Sequence, residues 1–85
     1  MDELITDFET ALANLKKGIR VARKGWNGKG MWIMLCIPDG DYTILKDEKT
    51  YGRLPYIYMK TADEKLVPWN ASQIDVLADD WYFID

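Results

Sequence analysis

Histidine is missing from all 85 residues, and cysteine occurs once. Without an imidazole the chain lacks the usual general base, the Ser-His and Cys-His nucleophile pairs and the commonest zinc ligand. A single cysteine closes no internal disulfide and builds no metal cluster. Long apolar runs are missing as well: the longest, MWIMLCI from Met31 to Ile37, falls far short of a membrane span. The first residues, MDELITDFE, are acidic where a secretory leader is basic, so a cytoplasmic protein is expected. Cys36 then reads as a buried small hydrophobe in a reducing compartment. No stretch matches G-x-x-x-x-G-K-[ST], and GWNGKG departs from G-x-G-x-x-G. The acid pairs Asp63-Glu64 and Asp79-Asp80 fall in turn-like segments, where neighbouring carboxylates are ordinarily solvated. Neither an enzyme, nor a metal site, nor a cofactor is expected.

An excess of positive charge is missing too, since the net charge is −3. Its distribution says more than its sum. Residues 1–15 carry acids and no base, residues 16–30 carry Lys16, Lys17, Arg20, Arg23, Lys24 and Lys29 and no acid, and the remainder is acidic. Coating long DNA or RNA depends on many phosphate neutralisations, for which this balance is poor. One local basic patch suits a small anion better. The length allows one domain, residues 1–85. A chain this short buries only roughly 60–65% of its unfolded surface and is marginal alone. With 48% hydrophobic residues and no disulfide to compensate, a homo-oligomer is expected.

What the chain does have is the stretch VARKGWNGKGMW, Val21 to Trp32. Its glycines Gly25, Gly28 and Gly30 let the backbone bend through positive φ and approach a ligand. Amides freed by such a bend, with Arg23, Lys24 and Lys29 beside them, make a pocket for an anion. Trp26 offers a flat face for a base or sugar. The combination points to a nucleotide-like ligand and to binding without bond breaking.

Around that stretch the pattern reads as α+β: one N-terminal amphipathic helix on an antiparallel sheet of about five strands, with a short helix before the last strand. Thr6-Asp7-Phe8-Glu9 reads as a capping box with Thr6 as N-cap. Phe8, Ala11, Leu12 and Leu15 form a helical stripe, and Gly18 ends the helix. Ile19 to Lys24 alternates as a half-buried strand, and Met31 to Ile37 reads as a central strand covered on both faces. After the turn Pro38-Asp39-Gly40-Asp41 comes a brief strand, Tyr42 to Leu45, then a charged surface loop, Lys46 to Leu54. Tyr56 to Thr61 is a strand with Tyr56, Tyr58 and Lys60 on one face and Ile57 and Met59 on the other, turning back into Leu66-Val67. Asn70 with Gln73 resembles a second capping box, opening a helix through about Ala78 that buries Ile74 and Leu77. Trp81 to Ile84 is a last strand.

Two further segments read as pocket walls, each beside a plainer alternative. Lys60 and Thr61 end a strand with an ammonium and a hydroxyl that suit an anion; a solvated hairpin explains them equally. Trp69-Asn70-Ala71-Ser72-Gln73 combines an aromatic face, amides, a hydroxyl and free N–H groups at a helix start; a capped helix with a core tryptophan explains it equally. Trp81 reads as core, and Trp32 as core or interface.

The strings ARKGWNGKGM (Ala22–Met31) and VPW-x-ASQ-x-D-x-LA-x-DW (Val67–Trp81), with YIYMKTAD (Tyr56–Asp63), resemble a family of small phage and prophage proteins, the Thoeris anti-defence sponges of the second type. The resemblance implies a non-enzymatic homo-oligomer, a tetramer, that captures cyclic nucleotide second messengers of bacterial immunity. Glycocyclic ADP-ribose is the chief one, and cyclic dinucleotides are taken by some members. Mapped onto this chain, it implies a site in Gly25–Met31 and Trp69–Asp75. Trp26 would stack on a base, with Asn27, Gly28 and Gly30 giving backbone and amide contacts. Arg23, Lys24 or Lys29 would neutralise the pyrophosphate, and Ser72, Gln73 and Asp75 would bond ribose hydroxyls or a base edge. Likeness is least over Asp39 to Leu54. Two rivals use the same residues: a single-stranded nucleic-acid binder, whose affinity would rise with oligonucleotide length, and an inhibitor directed at a host protein.

Overall fold

The computed structural model describes residues 5–26, 30–40, 42–44 and 49–84. In chain order these form α1 (Phe8–Lys16), β1 (Arg20–Arg23), β2 (Trp32–Cys36), β3 (Tyr42–Ile44), β4 (Lys49–Tyr51), β5 (Tyr56–Lys60), β6 (Leu66–Pro68), α2 (Gln73–Leu77) and β7 (Trp81–Ile84). A five-stranded antiparallel sheet runs β6-β5-β2-β1-β7, and β3 with β4 makes a separate two-stranded ribbon. The expected α+β architecture is present. No described helix is long and apolar enough to cross a membrane.

α1 spans nine residues, too few to hold a helix in water without packing. Ala11 and Leu15 supply that packing, fully buried against Val21, Ile33 and Trp81, with Phe8 and Leu12 at the margin. The stripe is therefore as expected, but the cap is not. Asp7, not Thr6, is the N-cap, its carboxylate accepting from the Thr10 N–H at 3.0 Å. Thr6 is drawn into strand geometry instead, where its N–H donates to the Trp81 carbonyl (2.7 Å) and its carbonyl accepts from the Trp81 N–H (3.0 Å). The helix therefore starts one residue later. Gly18, at φ 84, closes the other end.

Strand parity divides the sheet into two unlike faces. Val21, Ile33, Ile57, Met59 and Trp81 lie under α1. The opposite face carries Ala22, Trp32, Met34, Cys36, Tyr58 and Tyr82, with the Arg20 guanidinium 5.2 Å from the Trp32 ring centre and the Lys24 ammonium 4.7 Å from that of Tyr82. β2 is central as expected, but only Ile33 is fully buried along it. Its second face is shielded by neighbouring side chains such as Tyr58, packed edge-on to Trp32, with no second layer among the described residues. Cys36, on that face, is half-buried where full burial was expected.

The segment read as a surface loop from Lys46 to Leu54 holds a strand. Lys49, Thr50 and Tyr51 pair with Ile44, Thr43 and Tyr42, while residues 45–48 lie outside the described ones. The charges there hid a β-prone Lys-Thr-Tyr triplet, which pairs with all three residues exposed. The second helix also differs. Ser72 is its N-cap, in a capping box with Asp75, and Ile74 and Leu77 are 73% and 76% exposed. The buried residue of α2 is Asp75, at 9% exposure, because its partners lie inside.

Candidate functional site

Arg23 ends β1 on the same face as Val21, so strand parity sends its side chain inward. A cation held there demands carboxylates, and it meets two. Its Nη1 donates to Asp75 Oδ1 at 2.8 Å, and its Nε donates to Asp80 Oδ1 at 2.7 Å. A longer bond of 3.3 Å runs from Nη2 to Asp80 Oδ2, making the Asp80 contact forked. Burial works against the charge of Asp75. Hydrogen bonds from Arg23, from Ser72 and from the Trp26 indole outweigh it and hold the carboxyl below the ordinary carboxylate range. Asp80 is lowered as well, chiefly by Arg23 and further by the Gly25 N–H. Arg23 is raised in turn by both acids.

Each carboxylate also holds backbone. Asp80 Oδ2 accepts from the Gly25 N–H at 2.7 Å, and the Asp80 carbonyl accepts from the Lys24 N–H at 3.0 Å. Asp75 Oδ2 accepts from the Ser72 N–H (3.2 Å) and hydroxyl (2.9 Å), while Oδ1 accepts from Trp26 Nε1 at 3.3 Å. Glycine at position 25 leaves room for this approach: a Cβ there would lie 2.9 Å from Asp80 Oδ2 and 3.0 Å from Arg23 Nη2, so one of these groups would have to shift.

The aromatic side of the corner is built on Trp81, whose indole N–H donates to the Asp75 carbonyl at 2.9 Å. Trp26 packs edge-on against it at 5.4 Å between ring centres and Trp69 at 6.1 Å, with Phe8 tilted at 5.3 Å. Trp81 is fully buried, as expected of a core residue, whereas Trp26 and Trp69 are half-buried and 6.5 Å apart. At the far end of the glycine-rich stretch, Gly30 sits at φ 76 and its carbonyl accepts from Lys60 Nζ at 2.9 Å, the same ammonium pairing with Glu64 at 3.6 Å.

The fold thus brings together Arg23, Trp26, Trp69, Ser72 and Asp75, with Gly30 and Lys60 at the loop's other end. Asn27, Gly28 and Lys29 lie outside the described residues. Lys24 turns to the opposite sheet face, over Tyr82. The Thr61 hydroxyl binds Asp63 and the Lys65 backbone, the hairpin role that was its plainer alternative. Gln73 is exposed at the first position of α2, and Met31 is half-buried before β2. Sequence reasoning missed Asp80 and Phe8. Val21 and Arg23 sharing a face was the available signal, since an inward arginine implies a distant carboxylate.

A shallow cleft of about 250 Å³ lies elsewhere, lined by Cys36, Tyr56, Tyr58, Leu66, Val67 and Pro68. The Cys36 side chain pushes the Tyr56 hydroxyl up from its ordinary value.

Comparison with known proteins finds relatives of this chain. Residues 6–84 match the family model described as a Thoeris anti-defense 2-like domain. A Bacillus phage SP01 protein named Thoeris anti-defense 2 is 42% identical to the chain over 84 aligned residues, covering 87% of the chain and 89% of that relative.

Proposed function

The chain belongs to the Thoeris anti-defense 2-like family, and from that membership and the corner described above we propose that it is a phage anti-defence protein acting as a non-enzymatic sponge. It binds a cyclic nucleotide immune messenger, glycocyclic ADP-ribose or a cyclic dinucleotide, and withholds it from its effector in the host cytoplasm. The observation that carries the reading is the meeting of Trp26 and Trp69, 43 positions apart in the chain, half-buried around one buried tryptophan. Such rings offer flat faces for a base or ribose at small entropic cost.

The roles of the polar groups follow from their partners. Arg23 lies between two carboxylates, so the trio carries net negative charge and serves as framework. Phosphate charge falls to Lys29 and to Lys60, whose ammonium bonds the Gly30 carbonyl and pairs at 3.6 Å with Glu64, an exposed carboxylate that a phosphate would have to replace. Ser72, Gln73 and the loop amides supply hydrogen bonds. A sponge must outcompete an effector, and nanomolar capture corresponds to about −12 kcal/mol. Such affinity favours an enclosed site shared between subunits of a homo-oligomer, a tetramer. Ile74 and Leu77, left exposed on α2, support self-association.

Calorimetry with glycocyclic ADP-ribose and a panel of cyclic dinucleotides tests the reading, followed by heat release and mass spectrometry of the bound compound. Saturable binding and an intact mass are expected, with Trp26→Ala weakening it at least about tenfold and Trp32→Ala leaving it within about twofold. Flat titrations or a cleaved compound overturn the proposal.

One observation favours a second reading. The open sheet face combines Trp32, Tyr58 and Tyr82 with Arg20 and Lys24, a composition that stacks single-stranded bases. Affinity that climbs with oligonucleotide length and falls with salt would establish it in place of the sponge.

A further inference from the structure

We propose that Asp80 is a positioning residue for the ligand corner: its carboxylate couples Arg23 to the Gly25 N–H and so sets where the backbone leaves β1 toward Trp26. The inference rests on the sponge reading and deepens it. Asp80 sits between α2 and β7, 55 residues after Gly25, and reaches it at 2.7 Å. The same carboxylate takes the Arg23 fork, and its own backbone carbonyl takes the Lys24 N–H. Three consecutive residues at the mouth of the glycine loop are thus tied to one aspartate. The next residue, Trp26, is held from Asp75 through its indole N–H and from Trp81 through its ring. The path of the backbone into Trp26 therefore depends on Asp80, while Asp80 makes no contact of its own with the Trp26 ring among those observed. Gly25 fits the same account, because a Cβ there would crowd the Asp80 carboxylate at 2.9 Å and the Arg23 guanidinium at 3.0 Å and so disturb their contact.

The test compares Asp80→Ala, Asp80→Asn and Gly25→Ala with two controls, the exposed neighbour Asp79→Ala and the core variant Ile33→Val. Glycocyclic ADP-ribose affinity is measured by calorimetry at a temperature where every variant is folded. The Trp26 and Trp32 indole N–H signals are followed by NMR without ligand. Asp80→Ala is expected to weaken binding about 10- to 100-fold and to shift or broaden the Trp26 signal alone, with Gly25→Ala reproducing both effects. Asp80→Asn keeps one acceptor and should fall between. Both controls should stay within about twofold, even where Ile33→Val lowers the melting temperature. Should Asp80→Ala fail to fold, Gly25→Ala alone decides. Unchanged affinity in Asp80→Ala or, failing that, in Gly25→Ala overturns the inference and leaves the sponge reading standing. An equal loss in Ile33→Val reduces Asp80 to a stability role and overturns it too. Where the wild type ignores glycocyclic ADP-ribose but binds a cyclic dinucleotide of the panel, the same comparison is read with that dinucleotide; no binding of either class overturns the sponge reading and this inference with it.

Discussion

Asp75 collects donors from Arg23, Trp26 and Ser72 while being almost wholly removed from solvent. That trade defines the residue scale of this protein, because a carboxylate so satisfied resists protonation. Asp80 resists it for the same reason, and Asp7 and Asp63 do so at the surface. Each of these acids titrates lower in the folded chain than the ordinary value of about 3.9. Near that value the unfolded chain binds protons that the folded chain does not, so their stabilisation is complete above it. It is lost as the pH falls through the folded values. The melting temperature should stay level from pH 7 to about pH 5 and drop steeply below about pH 4. Asp75→Asn should start lower at neutral pH and show a shallower acid limb, as read by circular dichroism. Of this network the sequence exposed the pieces and not the pairing. Arg23 lay in view as one of several bases, and Asp80 as one of two adjacent acids. Parity with Val21 points Arg23 inward, but nothing within a few residues of Arg23 or Asp80 names the partner across the fold.

At the scale of elements, local chemistry and tertiary pull compete for each helix start. Thr6 had the capping box sequence, yet pairing with Trp81 removed it and left Asp7 to bond Thr10. Asp7→Ala should therefore cost about 1 kcal/mol, or roughly 4–8 °C in melting temperature for a chain of this size, while Thr6→Ala costs less than half of that. Thermal melts of the two variants check it. In α2 the inward draw on Asp75 rotates Ile74 and Leu77 to the outside, against their hydrophobicity. Apolar side chains so placed are surface awaiting cover. Changing both to glutamate should lower the mass seen by light scattering while the far-ultraviolet spectrum stays native. An unchanged mass would exclude α2 from any contact between copies of the chain. The stripe of α1, the faces of β5 and the hairpin after it were legible because each follows from spacing alone. The strand at Lys49–Tyr51 was not, since its charges mask the alternation and it pairs with another short strand.

At the scale of the molecule, the sheet is a partition with helices on one side and an aromatic, cationic face on the other. The tryptophan corner opens where β1 ends and β7 and α2 begin, so its walls come from both ends of the chain. By itself the sequence determined the class of the fold, the stripe of α1, the exclusion of histidine-based chemistry and the two strings that carry the family likeness. Those properties depend on composition and on spacing over a few residues, where helix and strand periods act directly. Only the tertiary structure decided that Arg23 faces inward to Asp75 and Asp80, that Asp7 caps α1, and that Ile74 and Leu77 face out. These depend on partners tens of residues away, and a half-buried cation or carboxylate takes its role from the charge that closes on it.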